Sequence, residues 1–310
     1  MVNMPKKKYL MRRFNSVVSS IVILITCFSS IGVGAKMSNV ELIFNKMELQ
    51  GIDVSQELLY GYFFLSKSKT SLVSIQKILL QQHYTFVELH KAENSVFVLH
   101  VEKIEKHTRK SLMQRDEELE KLVLRFSDIE YDGWDVGNVD SKKPLITTDE
   151  FLNFVSKKTD SELFDYATKL YENEIYDRAL QVFDICIGKN IKADVAQYKA
   201  AFCLISLGKT DEGIKRYKEV ILINPSYYLA YFNIAAISYD NHQFDESLQY
   251  YKKCVEMSPT DDKAFYGLAA RQYALKQYDE AQKNSLMALK INSKNENAPA
   301  LLEMLKERKR

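Results

Sequence analysis

Cysteine is scarce in this chain. Only four of the 310 residues are cysteines, and three of them, Cys186, Cys203 and Cys254, lie beyond residue 35. An odd number leaves at least one thiol unpaired, so these three do not make a disulfide framework. We interpret them as small hydrophobes packed on helices. A bridge between Cys186 and Cys203 stays open if the compartment is oxidising.

An excess of either charge is also absent. The chain has 43 Lys and Arg against 41 Asp and Glu, a formal net charge of +2. Its first 35 residues hold five cations and no acid, so the rest carries a net charge of −3. Proteins that bind RNA or DNA usually show a basic domain or stripe. Direct nucleic-acid binding is therefore disfavoured.

Motifs of catalysis are missing as well. There is no Gly-rich phosphate loop and no Gly-x-Ser-x-Gly turn. Of the five histidines, His90 and His100 fall on expected strands without the Cys, Asp or Glu spacing of a metal site. The acidic run from Asp116 to Glu120 is interpreted as the solvated face of a helix. We expect no enzyme activity, cofactor or metal.

A period of 34 residues fills the second half. Small residues recur in two series that each advance by 34: Ala167, Ala201, Ala235 and Ala269, then Ala179, Gly213, Ser247 and Ala281. The pattern resembles the tetratricopeptide repeat (TPR) family, whose unit is a helix–turn–helix of this length. Four units fit, at 160–193, 194–227, 228–261 and 262–295, and 296–310 reads as a polar capping helix. The resemblance implies an all-α solenoid.

Aromatic residues recur along the first helix of each unit. In TPR proteins this helix lines the concave face, and positions seven residues apart share one side of a helix. We predict a partner-binding groove for an extended or helical peptide. Its residues are Phe164, Tyr171, Tyr198, Phe202, Phe232, Tyr239, Tyr266 and Tyr273. Packing of these rings against their neighbours is the alternative. The family's carboxylate clamp is missing, which disfavours recognition of an acidic C-terminus.

The first 35 residues have the order of a secretory signal: a basic stretch, an apolar core over 17–28, and small residues ending at Ala35. We expect export to the periplasm with a mature chain starting near Lys36. An uncleaved inner-membrane anchor, lipid attachment at Cys27 and translation from Met37 are the alternatives.

Residues 37–140 lack the regular helix pairs of the second half and show a mixture of helical and strand-like patterns. Helical spacing over 39–50, 70–82 and 108–126 alternates with strand-like stretches at 58–65, 86–90 and 96–101, and a last strand is expected near Trp134. This order predicts an α+β domain, a ferredoxin-like sandwich with helices on one face of a sheet. Residues 141–159 are expected to be a linker and then a helix that covers the end of the first repeat.

The sequence Tyr131-Asp132-Gly133-Trp134 resembles the terminal motif of the RraB family, regulators of ribonuclease E that act by protein–protein inhibition. We expect Trp134 to seal the sheet, with a partner-contacting role as the alternative. The sequence departs from the family at Asp135 and lacks its acidic tail. An exported protein would not meet the cytoplasmic ribonuclease E.

The combined prediction is an exported, non-enzymatic binding protein with a protein or peptide partner. A periplasmic immunity or inhibitor protein and an envelope assembly scaffold are the alternatives. If the chain is not exported, regulation of ribonuclease E is the favoured role.

Overall fold

The computed structural model describes residues 33–308 except 93, 94, 141, 142, 241 and 242. It describes no side chain before Val40, and none at Tyr239 or Asp240. The basic and apolar parts of the expected signal therefore lie outside the described residues. The chain divides into two compact units, and the boundary between them in the sequence falls between Lys157 and Lys158.

The first unit is an α+β domain, as the sequence predicts. Its elements in chain order are α1 (Val33–Leu49), β1 (Leu58–Ser66), α2 (Lys69–Gln81), β2 (Thr85–Lys91), β3 (Phe97–Glu105), α3 (Arg109–Val123), β4 (Ile129–Gly137) and α4 (Thr148–Ser156). The strands form one antiparallel sheet in the order β2-β3-β1-β4. A βαββαβ chain with this strand order has ferredoxin-like topology, so the expected fold class is confirmed.

One face of the sheet is the core. Alternate residues of β1, including Tyr60, Tyr62 and Phe64, are fully buried, because successive side chains of a strand point to opposite faces. Helices α2 and α3 pack on this side. They contribute the buried residues Leu72, Ile75, Leu79, Leu112 and Leu119. The other face carries Gly61, Phe63, His100 and Asp135.

Helix α4 belongs to the first unit. A capping box formed by Thr147 and Glu150 begins it, and Phe151 and Val155 are buried. The Phe154 ring packs over Gly51, which ends α1 with a φ of +80°. A side chain at Gly51 would be strained by this backbone and crowded by the ring. The expected helix after the linker therefore exists, but its contact with Gly51 places it on the first unit.

The second unit consists of nine helices within the described residues. They are α5 (Asp160–Glu172), α6 (Tyr176–Gly188), α7 (Ala193–Ser206), α8 (Thr210–Ile223), α9 (Tyr228–Asp240), α10 (Phe244–Met257), α11 (Asp262–Ala274), α12 (Tyr278–Ile291) and α13 (Ala298–Glu307). Successive helices pack in pairs, and α5 also contacts α7 as α9 contacts α11. The first helices of neighbouring repeats therefore lie side by side.

Small residues at the repeat positions allow this close packing. Ala167, Ala201, Ala235 and Ala269 are fully buried. A Cβ placed on Gly267 would lie 2.3 Å from the Tyr251 ring, so α10 and α11 approach too closely there for any side chain. Helices α8 and α10 end before Pro225 and Pro259, since proline does not continue a helix.

The three cysteines beyond residue 35 are buried, unpaired thiols, which agrees with their interpretation as packing residues. Burial raises the pKa of Cys203 and that of Cys254 to about 12. Among the described residues, no helix combines the length and hydropathy that crossing a bilayer requires.

Candidate partner-binding surfaces

The Tyr-Asp-Gly-Trp motif lies on β4 at an irregularity of the sheet. Phe64 pairs with Tyr131, whereas its neighbour Phe63 pairs with Gly133, so Asp132 is an extra residue on β4. Gly133 has a φ of +109°, a conformation that L side chains rarely adopt. Without the bulge, Tyr131 and Trp134 would point to opposite faces, because their separation is odd. The extra residue turns both into the core.

Both core residues of the motif donate hydrogen bonds to one carboxylate. The Tyr131 hydroxyl lies 2.8 Å from Oδ1 of Asp116, and Nε1 of Trp134 lies 3.1 Å from Oδ2. Trp134 is 2% exposed and its ring also meets Tyr60, with centroids 5.8 Å apart. The structure therefore supports a sealing role for Trp134.

The interpretation of Asp116 as a solvated residue is wrong. It is only 7% exposed and faces the sheet from α3. The acidic run was interpreted by charge alone, but Asp116 shares the helical spacing of Leu112, Leu119 and Val123, which are buried. That spacing is the signal that could have identified it.

The predicted groove residues lie on the first helices of the four repeats. Together α5, α7, α9 and α11 form a surface that we call the first-helix face. Phe164 is buried. The half-buried members are Tyr171, Tyr198, Phe202, Phe232, Tyr266 and Tyr273. Tyr239 is on α9, but its side chain lies outside the described residues.

At the N-terminal end of this face, aromatic rings from neighbouring units meet. The Tyr171 ring lies edge-on to Phe202 with centroids 5.3 Å apart, and both rings contact Tyr176. The ammonium group of Lys199 lies 4.4 Å from the centroid of Tyr171. Burial raises the pKa of Tyr171 to about 12, so its hydroxyl stays neutral near pH 7. This end of the face therefore combines apolar aromatic surface with the positive charge of Lys199.

In the middle of the face, Asn233 fixes two tyrosines. Its Nδ2 donates to the hydroxyl of Tyr198 at 3.1 Å and to that of Tyr217 at 3.0 Å. The ring of Tyr198 also packs on Tyr227, at 5.1 Å between centroids. The sequence reasoning missed Asn233. The corresponding residues of the other units are Asp165, Lys199 and Gly267, and this departure from the repeat was the available signal.

Towards the C-terminal end, Phe232 meets Tyr251 edge-on at 5.5 Å, and Tyr273 lies 5.7 Å from Tyr278. Tyr266 packs on the cluster of Ala269, Ala281 and the α13 residues Leu301 and Leu305. The guanidinium of Arg308 lies 5.5 Å from the Tyr273 ring. The groove rings that the structure describes therefore pack on neighbours and, apart from Phe164, also keep part of their surface accessible.

Family comparisons agree with both halves of this description. Residues 39–136 match the family model described as Regulator of ribonuclease activity B (RraB), and residues 228–261 match Tetratricopeptide repeat. The chain thus carries an RraB domain followed by TPR structure, which confirms the recognition made from the sequence. Both kinds of domain act through protein contacts, so the role of this chain lies in protein interaction. No curated protein matches the chain significantly.

Several solved structures are similar to part of the chain. MamA 41-end from Desulfovibrio magneticus RS-1 is 16% identical, with a TM-score of 0.46, and the match covers 49% of this chain and 86% of that one. The first TPR of Spaghetti (RPAP3), bound to the HSP90 peptide SRMEEVD, is 20% identical, with a TM-score of 0.36 and coverage of 37% and 91%.

Proposed function

We propose that this protein is an exported binding protein that holds a peptide segment of a protein partner on the first-helix face. The observation that carries the proposal is the row of half-buried aromatic rings along α7, α9 and α11, each fixed by contacts behind it. Rings that are already ordered lose little conformational freedom on binding, and aromatic anchors usually dominate binding energy.

Site-specific photo-crosslinking in the native host tests this site. A photoreactive amino acid at Phe202 or Tyr266 should capture one defined protein, to be identified by mass spectrometry. The control is the same group at Leu222, which lies on α8 and is 81% exposed. If the same protein is captured only by the group at Leu222, the first-helix face is not its binding site.

Substitution tests the energetic role of the rings. With the captured protein purified, the double change Phe202→Ala and Phe232→Ala should weaken its binding by about 2 kcal/mol or more. Tyr231→Ala is the matched control, because that ring is on α9 next to Phe232 but points in another direction. Thermal unfolding measured alongside shows whether the variants remain folded. Full binding by a folded double variant would contradict the proposal.

Export rests on the composition of residues 1–35 and is tested directly. Mass analysis of the native protein should find a chain that begins near Lys36 in the periplasmic fraction. A cytosolic chain that begins at Met1 or Met37 would contradict it, and a chain from Met1 in the membrane fraction would support the anchored alternative.

A second candidate function is regulation of a ribonuclease, favoured by the match of residues 39–136 to the RraB family. It requires a cytoplasmic chain. The purified protein should then slow RNA cleavage by ribonuclease E in a dose-dependent manner. In the periplasm the same domain would serve as an inhibitor or immunity module against another protein. A scaffold would bind through the repeats alone.

A further inference from the structure

The sheet of the first unit has a second face, which we call the open face. It is the side away from α2 and α3, and its centre is Gly61 on β1. Gly61 pairs with Glu102 of β3 on one side and with Asp135 of β4 on the other. A Cβ on Gly61 would lie 2.3 Å from Oδ1 of Asp135 and 2.7 Å from Nε2 of His100. Because residue 61 has no side chain, an acid and an imidazole lie directly over the sheet.

The strands place acidic residues, two histidines and apolar residues on the open face. Glu88 of β2 faces the same side, since it pairs with His100. The two lysines of the strands, Lys91 and Lys103, belong to the opposite face. Nζ of Lys103, for example, lies 3.0 Å from Glu105 and 4.9 Å from the Tyr84 ring. Apolar surface lies between the acids.

Among the described residues, Glu88 and Glu102 have histidines as their ion-pair partners, His90 at 3.3 Å and His100 at 3.6 Å. Burial lowers the pKa of His100 to about 4, so this imidazole is neutral near pH 7. Burial, with the nearby charge of Glu102, raises the pKa of Asp135 to about 6. A positive charge brought to Gly61 would offset the repulsion between Asp135 and Glu102 and lower the pKa of Asp135.

Apolar groups around the acids are accessible. The Phe63 ring stacks flat on His100, with centroids 4.4 Å apart, and stays half-buried. Ile104 is 48% exposed, and Glu88 and Glu102 keep 56% and 26% of their side chains accessible. Apolar contact around a few charged anchors is typical of a peptide-binding surface.

We propose that the open face is a second docking surface, which binds a partner segment with Lys or Arg side chains spaced among apolar residues. The cations lie over Gly61 between Glu102 and Asp135, and the apolar side chains of the segment pack on Phe63 and Ile104. Charge complementarity selects this occupant, because the strands supply acids but no Lys or Arg on this side. The site is independent of the first-helix face.

A labelled peptide of alternating leucine and lysine is the probe. Its binding to the purified protein is measured by fluorescence anisotropy, next to a peptide in which glutamate replaces lysine. We expect the basic peptide to bind and the acidic one not to bind. The double change Glu102→Gln and Asp135→Asn should weaken binding about tenfold or more. Ile104→Ser, at an exposed position, should weaken it severalfold without disturbing the fold.

The matched control removes the same two charges elsewhere in the domain, by Glu57→Gln and Glu117→Gln at exposed positions. Binding by this control should stay within about twofold of the original. Equal losses in both double variants would mean unspecific attraction and would overturn the proposal. Failure of the basic peptide to bind the unaltered protein, or full binding by the Glu102 and Asp135 variant, would also overturn it.

Discussion

Asp116 shows how a single residue organises the RraB-like motif. It lies on α3, yet it holds two residues of β4 through the Tyr131 hydroxyl and the Trp134 indole. The sequence predicted that Trp134 is buried, because a lone tryptophan beside a glycine turn fits a sealing role. It did not predict the acceptor, because Asp116 was grouped with the acidic residues that follow it and not with the apolar positions that share its helical spacing.

Replacing Asp116 with alanine should cost about 3 kcal/mol of unfolding free energy, because two buried donors would lose their acceptor. Asp116→Asn keeps one acceptor oxygen and should cost less. Urea unfolding followed by the fluorescence of Trp134 measures both changes, and Glu117→Ala on the exposed side of α3 is the control. Destabilisation no larger than that of the control would contradict the role assigned to Asp116.

Asp135 gives a prediction that depends on pH. Its pKa is raised to about 6 in the folded chain, above the usual value of 3.8. Its protonated form therefore favours folding, and this contribution is lost as the pH rises through 6. Asp135→Asn, which resembles the protonated form, should stabilise the protein by about 1 to 2 kcal/mol at pH 7.5. Urea unfolding at several pH values should show the gain shrinking towards pH 4, and a gain independent of pH would exclude this origin.

At the scale of elements, the 34-residue period predicted the helix pairs well. Recurring small residues such as Ala201 report close helix contact directly, and Pro225 marks a helix end. The aromatic positions were harder to interpret, because a tyrosine at a repeat position suits both a groove and a core. Phe164 is buried while Tyr266 keeps accessible surface, and only the packing of neighbouring helices separates the two cases.

Two helical glycines offer a matched test of this close packing. Gly267→Ala places a methyl group against the Tyr251 ring and should cost about 1 to 3 kcal/mol, although alanine is the better helix former. Gly188, at the end of α6, has nothing within 4 Å of the added Cβ. Gly188→Ala should therefore be neutral or stabilising by up to about 1 kcal/mol. Thermal unfolding of both variants checks this, and equal effects would show that the contact with Tyr251 does not limit packing.

At the scale of the whole molecule, the chain joins two units with different periodicities. Composition alone suggested that the first unit ends near residue 140, whereas the structure continues it through α4 to Lys157. The sequence could not assign α4, because an amphipathic helix of nine residues shows an apolar side but not the surface that it covers. The contact of Phe154 with Gly51 decides the assignment.

A fragment of residues 37–157 should therefore be more stable than one of residues 37–140. The shorter fragment loses the buried side chains of Phe151 and Val155 and the packing on Gly51, and we expect a cost of about 2 kcal/mol or more. Chemical unfolding of the two fragments compares them, with Trp134 as the probe in both. Equal stability would mean that α4 contributes nothing to the first unit.

The reactivity of the three buried cysteines can also report local opening of the repeats. Cys186, Cys203 and Cys254 lie in the first, second and third repeats. Each thiol reacts only when the helix pair that buries it separates. Pulse labelling with a thiol reagent, read by mass spectrometry, would give a separate opening rate for each unit without any engineered probe. If partner binding slows labelling at one cysteine more than at the others, the order of the three rates locates the bound segment along the repeats.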